Sequence, residues 1–164
     1  MPYRKEKNWH LDIWLPTQGI AIELKYITQQ LKWKGISEDF SLSKHSGHPQ
    51  KRYDFLKDIQ RLEQVAKDLE CKIGFAILLT NAHGLWDPPK GNGWKTTTDA
   101  AFRFHEDRKL TGALIWSAQA SDGTKKGREE PIRLNGSYHM NWWDYSSLGT
   151  RRNQQFRYLA VLVK

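Results

Sequence analysis

Two short alternating runs joined by a turn constrain this chain more than any other feature. Trp9-His10-Leu11-Asp12-Ile13-Trp14-Leu15 and Ile20-Ala21-Ile22-Glu23-Leu24-Lys25-Tyr26 both carry the period of two that marks a β-strand. Pro16-Thr17-Gln18-Gly19 between them has the composition of a turn. Closing that loop by pairing Leu15 with Ile20 sets Trp14 against Ala21 and Ile13 against Ile22, and so brings Asp12 opposite Glu23. Lys25 follows two residues on, along the same face. The other face gathers Leu11, Ile13, Leu15, Ile20, Ile22 and Leu24 and is expected to face the core. Two acids opposite each other on a sheet repel unless a cation lies between them.

A divalent magnesium ion meets that need, because it takes hard oxygen ligands and usually one or two protein carboxylates. Asp12 and Glu23 would supply those carboxylates, and the Leu24 carbonyl lies close enough along the strand to be a third ligand. Lys25 is placed to orient a water or offset charge as a phosphodiester is attacked. The alternative is an exposed sheet face on which Lys25 simply neutralises its two neighbours.

Downstream, Gln29 to Arg52 is polar and basic and reads as a mobile loop. From Asp54, apolar residues at three- and four-residue spacing (Phe55, Leu56, Ile59, Leu62, Val65, Ala66, Leu69) predict a helix to about Leu69. Residues 72 to 80 are apolar on both faces, as a buried central strand should be, so helix and strand form a crossover unit. A Gly/Pro-rich loop over 87–94 precedes a short helix expected from Asp99 to about Glu106, with Thr98 as its cap. The remainder is β-rich, with strands expected at 110–117, 132–134, 138–144 and 156–163. At 164 residues the chain has the length of one domain. The expectation is a single α/β domain over 1–164, with a mixed sheet and flanking helix in a core at 9–80 and a β-rich C-terminal elaboration at 110–164.

Charge narrows the partners. Twenty-six Lys and Arg against 18 Asp and Glu give +8, which suits a polyanion, nucleic acid first. Lys44, Lys51, Arg52, Arg61, Arg151 and Arg152 are the candidate nucleic-acid contacts, and Lys125, Lys126 and Arg128 form a further basic cluster. The lone Cys71 excludes an intrachain disulfide framework and fits a reducing compartment. With no apolar run approaching a membrane span and no signal-peptide core, a cytoplasmic protein without a membrane partner is expected. No phosphate-binding Gly-Lys-Ser/Thr loop, Rossmann glycine pattern or nucleophile elbow competes with the hairpin.

Asp12 and, after ten intervening residues, Glu23-Leu24-Lys25 resemble the motif of the PD-(D/E)XK nuclease superfamily. That motif is an acid ending or interrupting one strand and Glu/Asp-X-Lys on the next. Glu70-Cys71-Lys72 and Asp107-Arg108-Lys109 match Glu/Asp-X-Lys as well, but neither has an acid set opposite by a preceding hairpin. The resemblance implies a restriction-endonuclease-like fold and metal-dependent endonuclease activity on DNA, in defence or repair. Asp12 and Glu23 would then bind Mg²⁺, or Mn²⁺ in its place, with Leu24, and Asp12, Glu23 and Lys25 would be catalytic. It leaves open an inactive DNA-binding or assembly module, an RNA-directed nuclease, and a homodimer or larger assembly. The family usually carries a helix and a strand ahead of the motif acid, whereas 11 residues precede Asp12 here. A second subunit, a trimmed core or a longer protein would account for that, and Glu6 is a candidate upstream carboxylate.

Among other residues, Asp58 and Arg61 are spaced for an i,i+3 pair, with Gln60 or Arg61 contacting substrate phosphate as the alternative. Of the eight tryptophans, Trp33, Trp86 and Trp94 fall in or beside lysine-containing loops where a ring could stack on a base. Trp116, Trp142 and Trp143 fall in predicted strands and read as core or interface.

Overall fold

The computed structural model describes residues 2–3, 9–35, 38–68 and 71–164; Glu6, Leu69 and Glu70 lie outside them. Its centre is a mixed five-stranded sheet in the order β10-β11-β7-β4-β3. These strands are β3 (Ile13–Leu15), β4 (Ile20–Ile27), β7 (Ile73–Thr80), β10 (Trp142–Ser147) and β11 (Gln155–Val163). Strands β4 and β7 are parallel, and the other neighbours are antiparallel. Two parallel neighbours need a crossover, and helix α1 (His48–Asp68) provides it. The predicted hairpin register holds where the strands pair: Leu15 with Ile20, Trp14 with Ala21 and Ile13 with Ile22. Gly19 closes its turn at φ 67°, a left-handed conformation, and its carbonyl accepts the Lys72 and Ile73 amides at the start of β7.

The faces are the reverse of the expectation. Ala21, Glu23 and Ile27 are buried, while Ile13, Leu15, Leu24 and Tyr26 are exposed. The cause is the side on which α1 lies. Small residues on β4 and β7 (Ala21, Gly74, Ala76) let the helix approach, and a Cβ on Gly74 would meet Leu62 Cβ at 3.3 Å. The opposite face keeps Ile73, Phe75, Ile77 and Leu79 half-buried.

Three further corrections follow from the structure. The stretch taken as a mobile loop contains a hairpin, β5 (Leu31–Lys34) with β6 (Asp39–Leu42), and the first turns of α1, which begins six residues before Asp54. Pro49 suits that start, since the first helical turn has no use for its missing N–H. The expected helix from Asp99 is a single 3₁₀ turn, Ala100–Phe102, and Thr98 does not cap it. The C-terminal strands are no mere elaboration, because β10 and β11 are two of the five strands of the central sheet.

Ahead of the hairpin, β1 (Pro2–Tyr3) pairs with β2 (Trp9–His10). One flank of α1 packs on β4 and β7 and the other against β9 (Ile132–His139), which forms a hairpin with β8 (Lys109–Leu114). A second short helix, α2 (Asp122–Lys125), is capped by the Ser121 side chain. Apolar contacts fill this space: Phe55 edge-on to Phe104, and Tyr53, Phe102 and Trp116 in mutual contact. Trp86 and Trp142 are buried against each other, whereas Trp143 is exposed.

The buried Glu63 carboxylate staples α1 to β9. It accepts the Asn135 and Gly136 amides, the Asn135 side chain and the Tyr138 hydroxyl, at 2.7 to 3.0 Å. Removing it strands four donors, so Glu63→Ala should cost about 3 kcal/mol in chemical denaturation, and Tyr138→Phe about 1 kcal/mol. Leu24→Lys, on the uncovered face, should change stability by less than about 0.5 kcal/mol; a large loss there would mean that this face is buried.

Candidate functional site

Beyond Ile13 the chain bends at Asp12, and the strand pairing stops. The Leu24 amide donates to Asp12 Oδ2 at 2.8 Å, so a carboxylate serves the edge of β4 where the regular pairing has ended. Leu24 itself points its side chain to the open face, and its carbonyl begins the peptide leading to Lys25. An acid interrupting one strand of the hairpin thus stands beside Glu23 and Lys25 on the next.

Glu23 and Lys25 turn towards α1, and the helix answers them with opposite charges. Arg61 Nε donates to Glu23 Oε1 at 2.8 Å, and its Nη2 donates to Asp58 Oδ1 at 2.8 Å. Asp58 Oδ2 in turn lies 2.7 Å from Lys25 Nζ. Glu23, Arg61, Asp58 and Lys25 therefore form a continuous chain of alternating charge between strand and helix. The expected Asp58 to Arg61 pair is present, but it belongs to this larger network and is no isolated surface pair.

The acids are the more deeply placed members. Side-chain exposure is 4% for Glu23 and 10% for Asp58, against 23% for Lys25 and 22% for Arg61. Burial pushes the Glu23 carboxyl up to about 7, a rise that the adjacent Arg61 opposes and the nearby Asp58 and Asp12 reinforce. Burial also raises Asp58 above the ordinary carboxylate range, against the pull of Lys25 and Arg61. Among the described residues, and including Asp12, three carboxylates face two cations, an excess of one negative charge when all three acids are ionised.

Asp12 and Glu23 offer hard oxygens of the kind a magnesium ion takes. Arg61 now occupies Glu23 Oε1, so a metal using that oxygen would exchange with the guanidinium. Among the described residues no three His, Cys, Asp or Glu side chains converge as a ready-made metal cluster.

The predicted phosphate contacts scatter. Arg52 is a correction: it is 5% exposed, bound to Asp99 and donating to the Gly84 carbonyl, so its guanidinium is consumed inside the fold. Arg61 belongs to the charge network. Lys51 is half-buried near the start of α1, and Arg151 is exposed before the 3₁₀ turn Arg152–Gln154. Lys44 and Arg152, far apart in the chain, line the same depression. Arg128 pairs through two nitrogens with Asp54, and Lys125 pairs with Asp122. Trp94 stands edge-on to His105 with Arg108 over its ring.

No family model matches the chain, and no curated protein or solved structure is similar to it. Among the described residues, no helix is long and apolar enough to cross a membrane.

Glu23 makes stability depend on pH. Its folded value lies above the ordinary 4.5, so between roughly pH 4.5 and 7 the folded state holds a proton that the unfolded state has lost. Its contribution to stability is therefore full below that window and falls as pH rises through it. Glu23→Gln should remove this decline and gain roughly 1–3 kcal/mol at pH 8 over wild type. Denaturation curves at pH 5 and pH 8 measure it, and an unchanged pH slope in the variant would refute the assignment.

Proposed function

We propose that the chain is a metal-dependent endonuclease that hydrolyses DNA phosphodiester bonds on a restriction-endonuclease-like core. The observation that carries this reading is the charge gathered at the hairpin: among the described residues, three carboxylates, two of them buried, are offset by Lys25 and Arg61. Acids whose ionisation burial disfavours, held beside specific charge partners, are candidates for a site of chemistry. The motif order, with Asp12 at the strand interruption and Glu23-Leu24-Lys25 on the next strand, supports the same reading.

Asp12 and Glu23, with the Leu24 carbonyl, would hold Mg²⁺ or Mn²⁺, which supplies Lewis acidity to the phosphoryl group and to an attacking water. Lys25 orients that water, and Asp58 fixes the ammonium group by its 2.7 Å contact. Arg61, released from Glu23, is within reach to pair with the phosphate on which charge develops. As the water oxygen bonds to phosphorus the ester P–O bond breaks; the water's proton passes to solvent, and the leaving oxygen takes one from solvent.

A second reading is a DNA-binding or assembly module without turnover. The continuous Glu23 to Lys25 network favours it, because four side chains satisfy one another with no ligand present.

Incubation with plasmid and linear DNA in Mg²⁺ or Mn²⁺ separates the two, with RNA digested in parallel to test the substrate. Cleavage is expected, and Asp12→Ala, Glu23→Ala and Lys25→Ala should each lower the rate at least about 100-fold. Mn²⁺ binding followed by electron paramagnetic resonance should be lost in Asp12→Ala. Cleavage that survives EDTA, or all three substitutions, would rule the nuclease out; binding without cutting would favour the module.

A further inference from the structure

At the carboxyl ends of the parallel strands β4 and β7 lies a basic groove separate from the acid cluster. Two depressions of about 440 and 490 Å³ adjoin there and share His83 and Arg152 in their walls. Lys44 contributes to the first, and Lys90 and Arg103 to the second. Among the described residues Asp87 is the one carboxylate lining either depression, and a single oxygen of it, Oδ2, holds both His83 Nδ1 at 3.1 Å and Arg152 Nη1 at 3.2 Å. Lys44 and Lys90 have no ion-pair partner among the described residues.

The walls are built in advance. Asn81, fully buried at the end of β7, accepts the Gln29 amide at 2.7 Å and donates to the carbonyls of Gln29 and Asn153. Asn153 Nδ2 donates to the Gln30 carbonyl, and backbone and imidazole bonds from Thr28 to His45 fix the chain beside Lys44. Three segments remote in sequence are thus clamped around one cationic space. The charge reaches inward: His48, at the start of α1, is held below the ordinary histidine range by burial, then by Arg52 and Lys44.

We propose that this groove is a second binding locus that receives the phosphodiester backbone of DNA, through Lys44, Arg152 and His83 with the amides of Gln29 and Gln30 beside them. Open ends of parallel strands are where α/β sheets commonly take ligands, and a groove with several cations and one acid suits a chain of phosphates better than an isolated anion. This locus rests on the nuclease reading for its place on the substrate, but its binding is separable from turnover.

The test is fluorescence-anisotropy titration of a labelled 20-base-pair DNA duplex and a length-matched RNA, in EDTA, from 50 to 300 mM salt. The proteins carry Glu23→Gln as background. Adding Lys44→Glu and Arg152→Glu should weaken DNA binding at least about tenfold and lower the log–log salt slope by about 1.8. The control pair Lys72→Glu and Lys164→Glu makes the same charge change at the other end of the sheet and should shift affinity less than about twofold. Equal losses in the two pairs, no loss in the first, or a loss confined to RNA would overturn the assignment. Cleavage by wild-type protein with unchanged affinity in the groove pair would remove this locus and leave the nuclease standing. Groove-dependent binding with no cleavage in Mg²⁺ or Mn²⁺ would do the reverse.

Discussion

The rest of the structure depends on how α1 meets β4. A strand that offers Ala21, Glu23, Lys25 and Ile27 on one face and Ile22, Leu24 and Tyr26 on the other would bury the second by hydrophobicity alone. The helix lies on the first, because it brings Asp58 and Arg61 to the two charges and apolar residues to the small side chains around them. Each buried ion would be expensive alone, and together they satisfy one another. Once that face is chosen, the crossover, the parallel β7 and the Glu63 staple to β9 follow along the same helix.

The network is well paired yet not balanced. Among the described residues, Arg61 bridges two acids, Lys25 pairs with Asp58, and Asp12 adds a third carboxylate that accepts the Leu24 amide and has no cationic side-chain partner. A fold seeking stability alone would do better with hydrocarbons of similar volume, which often match or exceed a buried ion pair. Keeping an acid at the edge of ionisation, as burial does to Glu23, makes the locus responsive to any arriving positive charge.

Much of this was legible from local pattern. The period of two and the Pro-Thr-Gln-Gly turn defined the β3 to β4 register to the residue, because a slip of one would invert every side chain. The double-sided apolar run identified β7 as a central strand beside α1. What pattern could not tell was which face of β4 the helix covers, since that depends on partners 33 and 38 residues away. A signal was present: Asp58 falls between Phe55 and Leu62 on the apolar stripe of α1, where a carboxylate needs a buried partner. The β5 to β6 hairpin was missed because its polar alternation, Leu31-Lys32-Trp33-Lys34, has only a half-buried face. Arg52 misled for a related reason, as a charge in a polar stretch gives no hint of a partner at Asp99.

The acid cluster and the basic groove share supports, and this bears on how each responds to change. The cluster joins β4 to the middle of α1, and the groove lies just past the carboxyl ends of β4 and β7, so the same two strands carry both. The Glu63 staple and the close Leu62 to Gly74 approach fix that helix by contacts on both flanks. Loops of different origin carry the groove, yet Asn81 and Asn153 tie them back to the ends of the same strands. The groove is thus tied to the strand ends by side-chain amides and the acid cluster to the helix by ion pairs, which leaves the parallel pair β4 and β7 as the frame common to both.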